Sequence, residues 1–247
     1  MMKRHTLVVG GTRGIGHDVV RILAENRHKL SVIGRHIPSE KENKIKTAAY
    51  WALDLLNQNA LSKALSEIVE KNGKISNIVF LQRYRGKEDN WKGELEVSIT
   101  TTKNIIERLA DKFDDSRSNS IIIVSSLAAC FIVNDQPLSY HIAKAGLNQI
   151  AKYYAVNLAE KGIRVNCISP SAVMKKESKD FYLKNEKLHN LYKKITPLGR
   201  MCTPEDAAHL VEFLCSPKSS FITGQNIIID GGISLQGHES LARKLHY

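Results

Sequence analysis

Short β-branched runs alternate with longer stretches of helical spacing along this chain, and that alternation limits the folds open to it. HTLVVGG, KLSVIGR, NIVFL, SIIIVSS, IRVNCIS and QNIIIDGG read as strands. Between them GHDVVRILAEN, QNALSKALSEIVEKNG, ELEVSITTTKNIIERLADKF and SYHIAKAGLNQIAKYYAVNLAEKG place apolar residues three and four apart, the period of an amphipathic helix. Strands that alternate with helices form βαβ units, and these wind into a parallel α/β sheet covered on both faces. No Pro/Gly/Ser tract or internal repeat divides the 247 residues, so one domain over 1–247 is expected.

The bulk numbers exclude several classes. A hydrophobic fraction of 43% supports a substantial core. No run approaches the roughly 18 apolar residues of a membrane span, so no membrane association is expected. The start, MMKRHTLVVGG, is basic, but its apolar run is too short for a secretory signal and reads better as a first strand. Cys130, Cys167, Cys202 and Cys215 are widely spaced, without a CxxC pair or a histidine cluster. They suit buried thiols in a reducing compartment, which points to the cytoplasm and to no metal site. The formal charge of +11 favours anionic partners, although a lysine-rich solvated surface gives the same number. No helix-turn-helix or RNA-recognition pattern is visible, so nucleic acid is not the expected partner.

After the first strand, VVGGTRGIGHDVV sets Gly10, Gly14 and Gly16 at the opening of a helix. Such a turn lets the backbone come close to a pyrophosphate, whose charge sits well on a helix N-terminus. That combination makes the sheet Rossmann-type. At the end of the second strand stands Gly34-Arg35, where an Asp or Glu would hold the ribose hydroxyls of NAD. Arg35 there, with Arg13 inside the glycine turn, suits a 2′-phosphate and therefore NADP(H).

SYHIAKAG puts Tyr140 and Lys144 one helical turn apart on the same face. This can be a half-buried tyrosine beside a solvated lysine. It can also be a proton shuttle, because a nearby ammonium stabilises phenolate and lowers the phenol's pKa from about 10.

Taken together, the ordered motifs resemble the single-domain branch of the short-chain dehydrogenase/reductase family. They are the glycine turn at 10–16, ALDL with Asp54, IIIVSS ending at Ser126, SYHIAKAG, GIRVNCISP ending at Pro170, PLGRMCTPEDAAHLVEFLCSP and FITGQNIIIDGG. The resemblance implies reduction of a carbonyl to an alcohol. Ser126 would bond the carbonyl oxygen, Tyr140 would act as general acid, and Lys144 would tune Tyr140 and hold the nicotinamide ribose. It also implies cofactor contacts from Thr12, Ile15, Asp54, Leu55 and Val173 besides the glycines and arginines, with Asp230, Gly231 and Gly232 mainly structural. A homodimer or homotetramer is expected, packed through helices that include Tyr153, Tyr154 and Val156.

Three departures stand out. Phe80-Leu81-Gln82-Arg83 replaces the family's Asn-Asn-Ala-Gly, so the path there must differ, and the stretch from Tyr84 to Trp91 looks shortened. Ser98, in a register anchored by Trp91, replaces the asparagine that completes the proton relay. Ser171 and Lys175 replace a glycine and a threonine after Pro170. These leave open a second reading, a cofactor-binding sensor or scaffold with little turnover.

The segment 174–203 is polar, charged and helical in flavour, and sits where open α/β sheets bind ligands, so a substrate lid is expected there. Its lysines 175, 176, 179, 184, 187, 193 and 194 would attract an anionic substrate if that face turned inward; a solvated helix face is the alternative. Reduction of a 3-oxoacyl thioester is the family's commonest bacterial role and the soft expectation for the substrate.

Overall fold

In a computed structural model, which describes residues 4–86, 91–116 and 118–246, seven parallel strands form one sheet. They are β1 (His5–Val9), β2 (Lys29–Gly34), β3 (Ala48–Ala52), β4 (Asn77–Phe80), β5 (Asn119–Val124), β6 (Ile163–Pro170) and β7 (Asn226–Ile229). Their order is β3-β2-β1-β4-β5-β6-β7. The crossovers include α1 (Ile15–Glu25), α2 (Gln58–Asn72), α3 (Trp91–Leu95), which runs on through a π-turn at Glu96–Thr100 into α4 (Thr101–Leu109), and α5 (Leu138–Asn157). After β6 come α6 (Lys176–Lys184), α7 (Glu186–Ile195), α8 (Pro204–Cys215) and, past β7, α9 (His238–His246). Among the described residues, no helix is long and apolar enough to cross a membrane.

The core follows from the period-two alternation of strand side chains. Leu7 and Val9 of β1 face one way, with Ile33, Ile78, Phe80, Ile121 and Ile123, against α2, α4 and α5. Val8 faces the other way, with Val32, Val79, Ile122 and Ile168, against α1 and α8. Burial on both faces explains why the central strands read as nearly unbroken apolar runs.

Six of the seven strands coincide with the runs read from the sequence. The seventh, β3, did not stand out because AAYWA is an edge strand paired on one side only, with β2, and largely half-exposed. Its sequence therefore carries neither a long apolar run nor clean alternation. The helix α9 was also not anticipated.

The chain reverses its direction of winding between β1 and β4, which lie side by side: Val9 pairs with Phe80. A crevice therefore opens beyond their carboxyl ends. Segment 174–203 lies over that end as α6 and α7. Its exit is fixed by the α8 cap, where Thr203 accepts from the Asp206 amide and the Asp206 carboxylate accepts from the Thr203 amide at 2.8 Å. Arg200 donates to both Asp206 oxygens, at 2.6 and 2.8 Å, and this pair holds the Asp206 carboxyl far below the usual carboxylate range. Residues 87–90 of the stretch Tyr84–Trp91, read from the sequence as shortened, lie outside the described residues.

Candidate active site

The glycine turn is shaped by close backbone approach. Gly10 has φ +86°, and a Cβ on it would lie 2.6 Å from the Gln82 amide nitrogen; a Cβ on Gly16 would lie 2.2 Å from the Gly10 carbonyl oxygen. Neither contact is possible for a side chain, so both positions require glycine. The turn delivers Gly14 to the start of α1, where its N–H donates to the Glu177 carboxylate of α6 at 3.2 Å. An anionic oxygen therefore already sits on the group that would receive a phosphate oxygen.

On the other wall stand the ends of β5 and the start of α5. Lys144 is 4% exposed, and its ammonium donates to the Val124 carbonyl at 2.9 Å. Ser125 closes the clamp by donating to the Lys144 carbonyl at 3.1 Å. The Lys144 Nζ lies 5.5 Å from the centroid of the Tyr140 ring. Ser126, whose Oγ accepts from the Ala128 amide, lies beside Tyr140 and favours ionisation of its hydroxyl. Burial pushes the Tyr140 phenol up, but Lys144, Ser126, Arg83 and Lys175 together outweigh it, and the net shift is downward. Of the two readings of SYHIAKAG, the geometry favours a tuned phenol: the lysine is buried, and it faces the ring.

These walls bound a cavity of about 760 Å³. It is lined by Gly10, Thr12, Arg13, Gly14, Ile15, Gly16, Arg35, Asp54, Leu55, Ser126, Tyr140, Lys144 and Val173. Every residue singled out for catalysis or cofactor contact is among them except Ser98. That serine is fully buried in the π-turn, and its hydroxyl donates to Glu94 at 2.7 Å. Its carbonyl accepts from Thr102 at 2.6 Å.

The altered stretch after β4 behaves in a way the sequence did not disclose. Gln82 turns inward and donates to Thr102 Oγ1 at 2.8 Å, which ties the loop to α4. Its other amide atom, Oε1, is buried without a hydrogen-bond partner and belongs to a residue that lines the cavity. Arg83 lies over the Tyr140 ring, its Cζ 4.6 Å from the centroid, and donates to Gln136 at 2.6 Å. Of the seven lid lysines only Lys175 lines the cavity; the others are exposed, so the solvated-face alternative holds for them. Tyr154 also departs from expectation. It is 8% exposed and donates to Glu107 at 3.0 Å, so it belongs to the core, while Tyr153 and Val156 remain exposed.

A dinucleotide fits these residues. The steric requirement for glycine at 10 and 16 and a Gly14 N–H at the start of α1 that already holds an anionic oxygen both suit such a group.

A family model described as enoyl-(acyl carrier protein) reductase matches residues 9–234. The 3-oxoacyl-(acyl-carrier-protein) reductase of Chlamydia pneumoniae is 28% identical, over 95% of this chain and 98% of that protein. The enzyme of the same description from Aquifex aeolicus is 30% identical, over 92% and 96%. Among solved structures, a short-chain dehydrogenase family protein from Francisella tularensis aligns with a TM-score of 0.81 at 27% identity, over 95% and 100%. ElxO, solved with NADP bound, shares the fold with a TM-score of 0.83 at 22% identity, over 95% and 100%. The family match begins where β1 ends and runs beyond β7, leaving no crossover of the sheet outside it: this chain belongs to the short-chain dehydrogenase/reductase family of nicotinamide-dependent oxidoreductases.

Proposed function

We propose that the protein is an NADP(H)-dependent reductase that converts a ketone to an alcohol, with Tyr140 as general acid. The observation that carries this reading is the Tyr140 phenol, beside Ser126 and backed by buried Lys144, on the same cavity as the glycine turn. Bound reduced nicotinamide would supply the hydride. Ser126 would donate to the substrate carbonyl and fix its orientation beside Tyr140. Tyr140 would pass its proton to the carbonyl oxygen, and Lys144 would stabilise the phenolate that remains. The Ser98 hydroxyl is engaged with Glu94, so any proton resupply through Lys144 bypasses that side chain.

Arg13 and Arg35 border the adenosine end of the cavity and would receive a 2′-phosphate. Gly14 N–H would receive the diphosphate once Glu177 leaves it, and that departure couples cofactor binding to movement of α6. The names of the relatives point to a 3-oxoacyl thioester as one class of ketone. A cytoplasmic address agrees with the four unpaired cysteines, of which only Cys130 is exposed. A homodimer or homotetramer is carried over from the family, with Tyr153 and Val156 available on α5.

The second reading, a cofactor-binding protein with little turnover, is favoured by the withdrawal of Ser98 from the cavity. Tyr140→Phe separates the two. A reductase should lose about 10²-fold or more in kcat/KM for a ketone while NADPH fluorescence still titrates; equal residual rates in wild type and variant would leave only the binding protein. Arg35→Asp should raise the KM for NADPH about 10- to 100-fold, the effect of one charge-assisted contact. A wild-type protein that uses NADH as well as NADPH would contradict that assignment. Glu177→Gln should tighten NADPH binding about two- to five-fold, because the variant offers α1 no competing carboxylate. Unchanged or weaker binding would show that the Glu177 contact is not displaced.

A further inference from the structure

The cations on this cavity fall into two groups. Arg13 and Arg35 stand with the glycine turn and the end of β2, at the end assigned above to the cofactor's phosphates. Arg83 and Arg85 stand across from them, after β4, on the Tyr140 side, with Lys175 between the two groups. A Cβ on Gly14 would meet the Lys175 side chain at 3.2 Å, so that lysine reaches across the turn.

Arg83 is fixed in an unusual pose. Its guanidinium covers the face of Tyr140 at 4.6 Å and is braced by Gln136 Oε1 at 2.6 Å, which leaves its remaining donors directed elsewhere. Among the described residues, no carboxylate forms an ion pair with Arg83, Arg85 or Lys175, although Asp135 and Glu177 are near this end of the cavity. Burial and then the two arginines push the Lys175 ammonium down, a sign that positive charge is in excess there. Arg83 and Arg85 are solvent-exposed and Lys175 is partly buried; an anion placed among the three would offset their mutual repulsion.

We propose that Arg83, supported by Arg85, recognises a carboxylate carried by the substrate close to its reacting carbonyl, so that small oxo acids are preferred over neutral ketones. The inference rests on the reductase reading and narrows it. A carbonyl bonded to the Tyr140 hydroxyl lies beside a guanidinium that covers the same ring, so a carboxylate one or two bonds from that carbonyl falls within reach of the planar fork. A thioester on a phosphopantetheine arm does not meet this condition, because its phosphate is many bonds from the carbonyl.

The test uses a matched pair, acetoacetate and methyl acetoacetate, which share a ketone and differ in charge. Calorimetric titration into the whole protein, with and without saturating NADP⁺, measures binding without turnover. Acetoacetate should bind at least about ten-fold more tightly than the ester. Arg83→Met should abolish that ratio, Arg83→Lys should keep part of it, and NADP⁺ affinity should stay within about two-fold in both. Steady-state reduction of the pair should show the same preference, chiefly in KM. Equal binding of acid and ester, a preference that survives Arg83→Met, or a loss that falls instead on NADP⁺ would each overturn the proposal. Absence of turnover with an intact acid preference would sink the reductase reading and leave the carboxylate site standing. Turnover of the ester alone would do the reverse.

Discussion

The site depends on one buried cation. Lys144 is drawn out of water and held by the Val124 carbonyl at the end of β5 and, through its own carbonyl, by Ser125. A buried ammonium is costly unless its donors are met and negative charge can form nearby. The strand accepts one of its three donors, and Tyr140, one turn earlier on α5, can supply the negative charge. The clamp also fixes α5 against the end of β5, so the nearness of Ser126 to Tyr140 is a consequence of how the sheet and the helix are locked together. Lys144 thus acts both as a structural tie between two elements and as the source of the field on the phenol.

Around this pair stand several cations, and segment 174–203 brings an anion onto the glycine turn. Glu177 occupies Gly14 N–H, while Lys175, two residues earlier, reaches over the same glycine toward Arg83, Arg85 and Tyr140. Segment 174–203 therefore brings both a carboxylate and an ammonium to the glycine turn.

Most of the framework was legible because it rests on repeating patterns. The central strands are buried on both faces and show as apolar runs, and the glycine turn shows because steric contact at Gly10 and Gly16 allows no other residue. Helical spacing put Tyr140 and Lys144 on one face, and their expected roles came only from the resemblance. The edge strand β3 was not, because half-exposure erases both patterns. The rotations of single side chains were likewise hidden. Nothing in the order of residues says that Gln82 turns inward, that Arg83 lies on Tyr140, or that Lys175 turns in while the other lid lysines face solvent. Ser98 shows the same limit. Its register follows from Trp91, but the sequence does not say that its hydroxyl turns to Glu94, four residues earlier, and away from the cavity.

The most direct measurement is an ultraviolet titration of Tyr140 itself, taken as the difference between wild type and Tyr140→Phe across the alkaline range. A phenol backed by a fixed ammonium should ionise below the ordinary tyrosine value of about 10, and Lys144→Met should move that ionisation upward. If the hydroxyl titrates at or above 10, or ignores the loss of the lysine, the cation does not govern the phenol and the site has been misread.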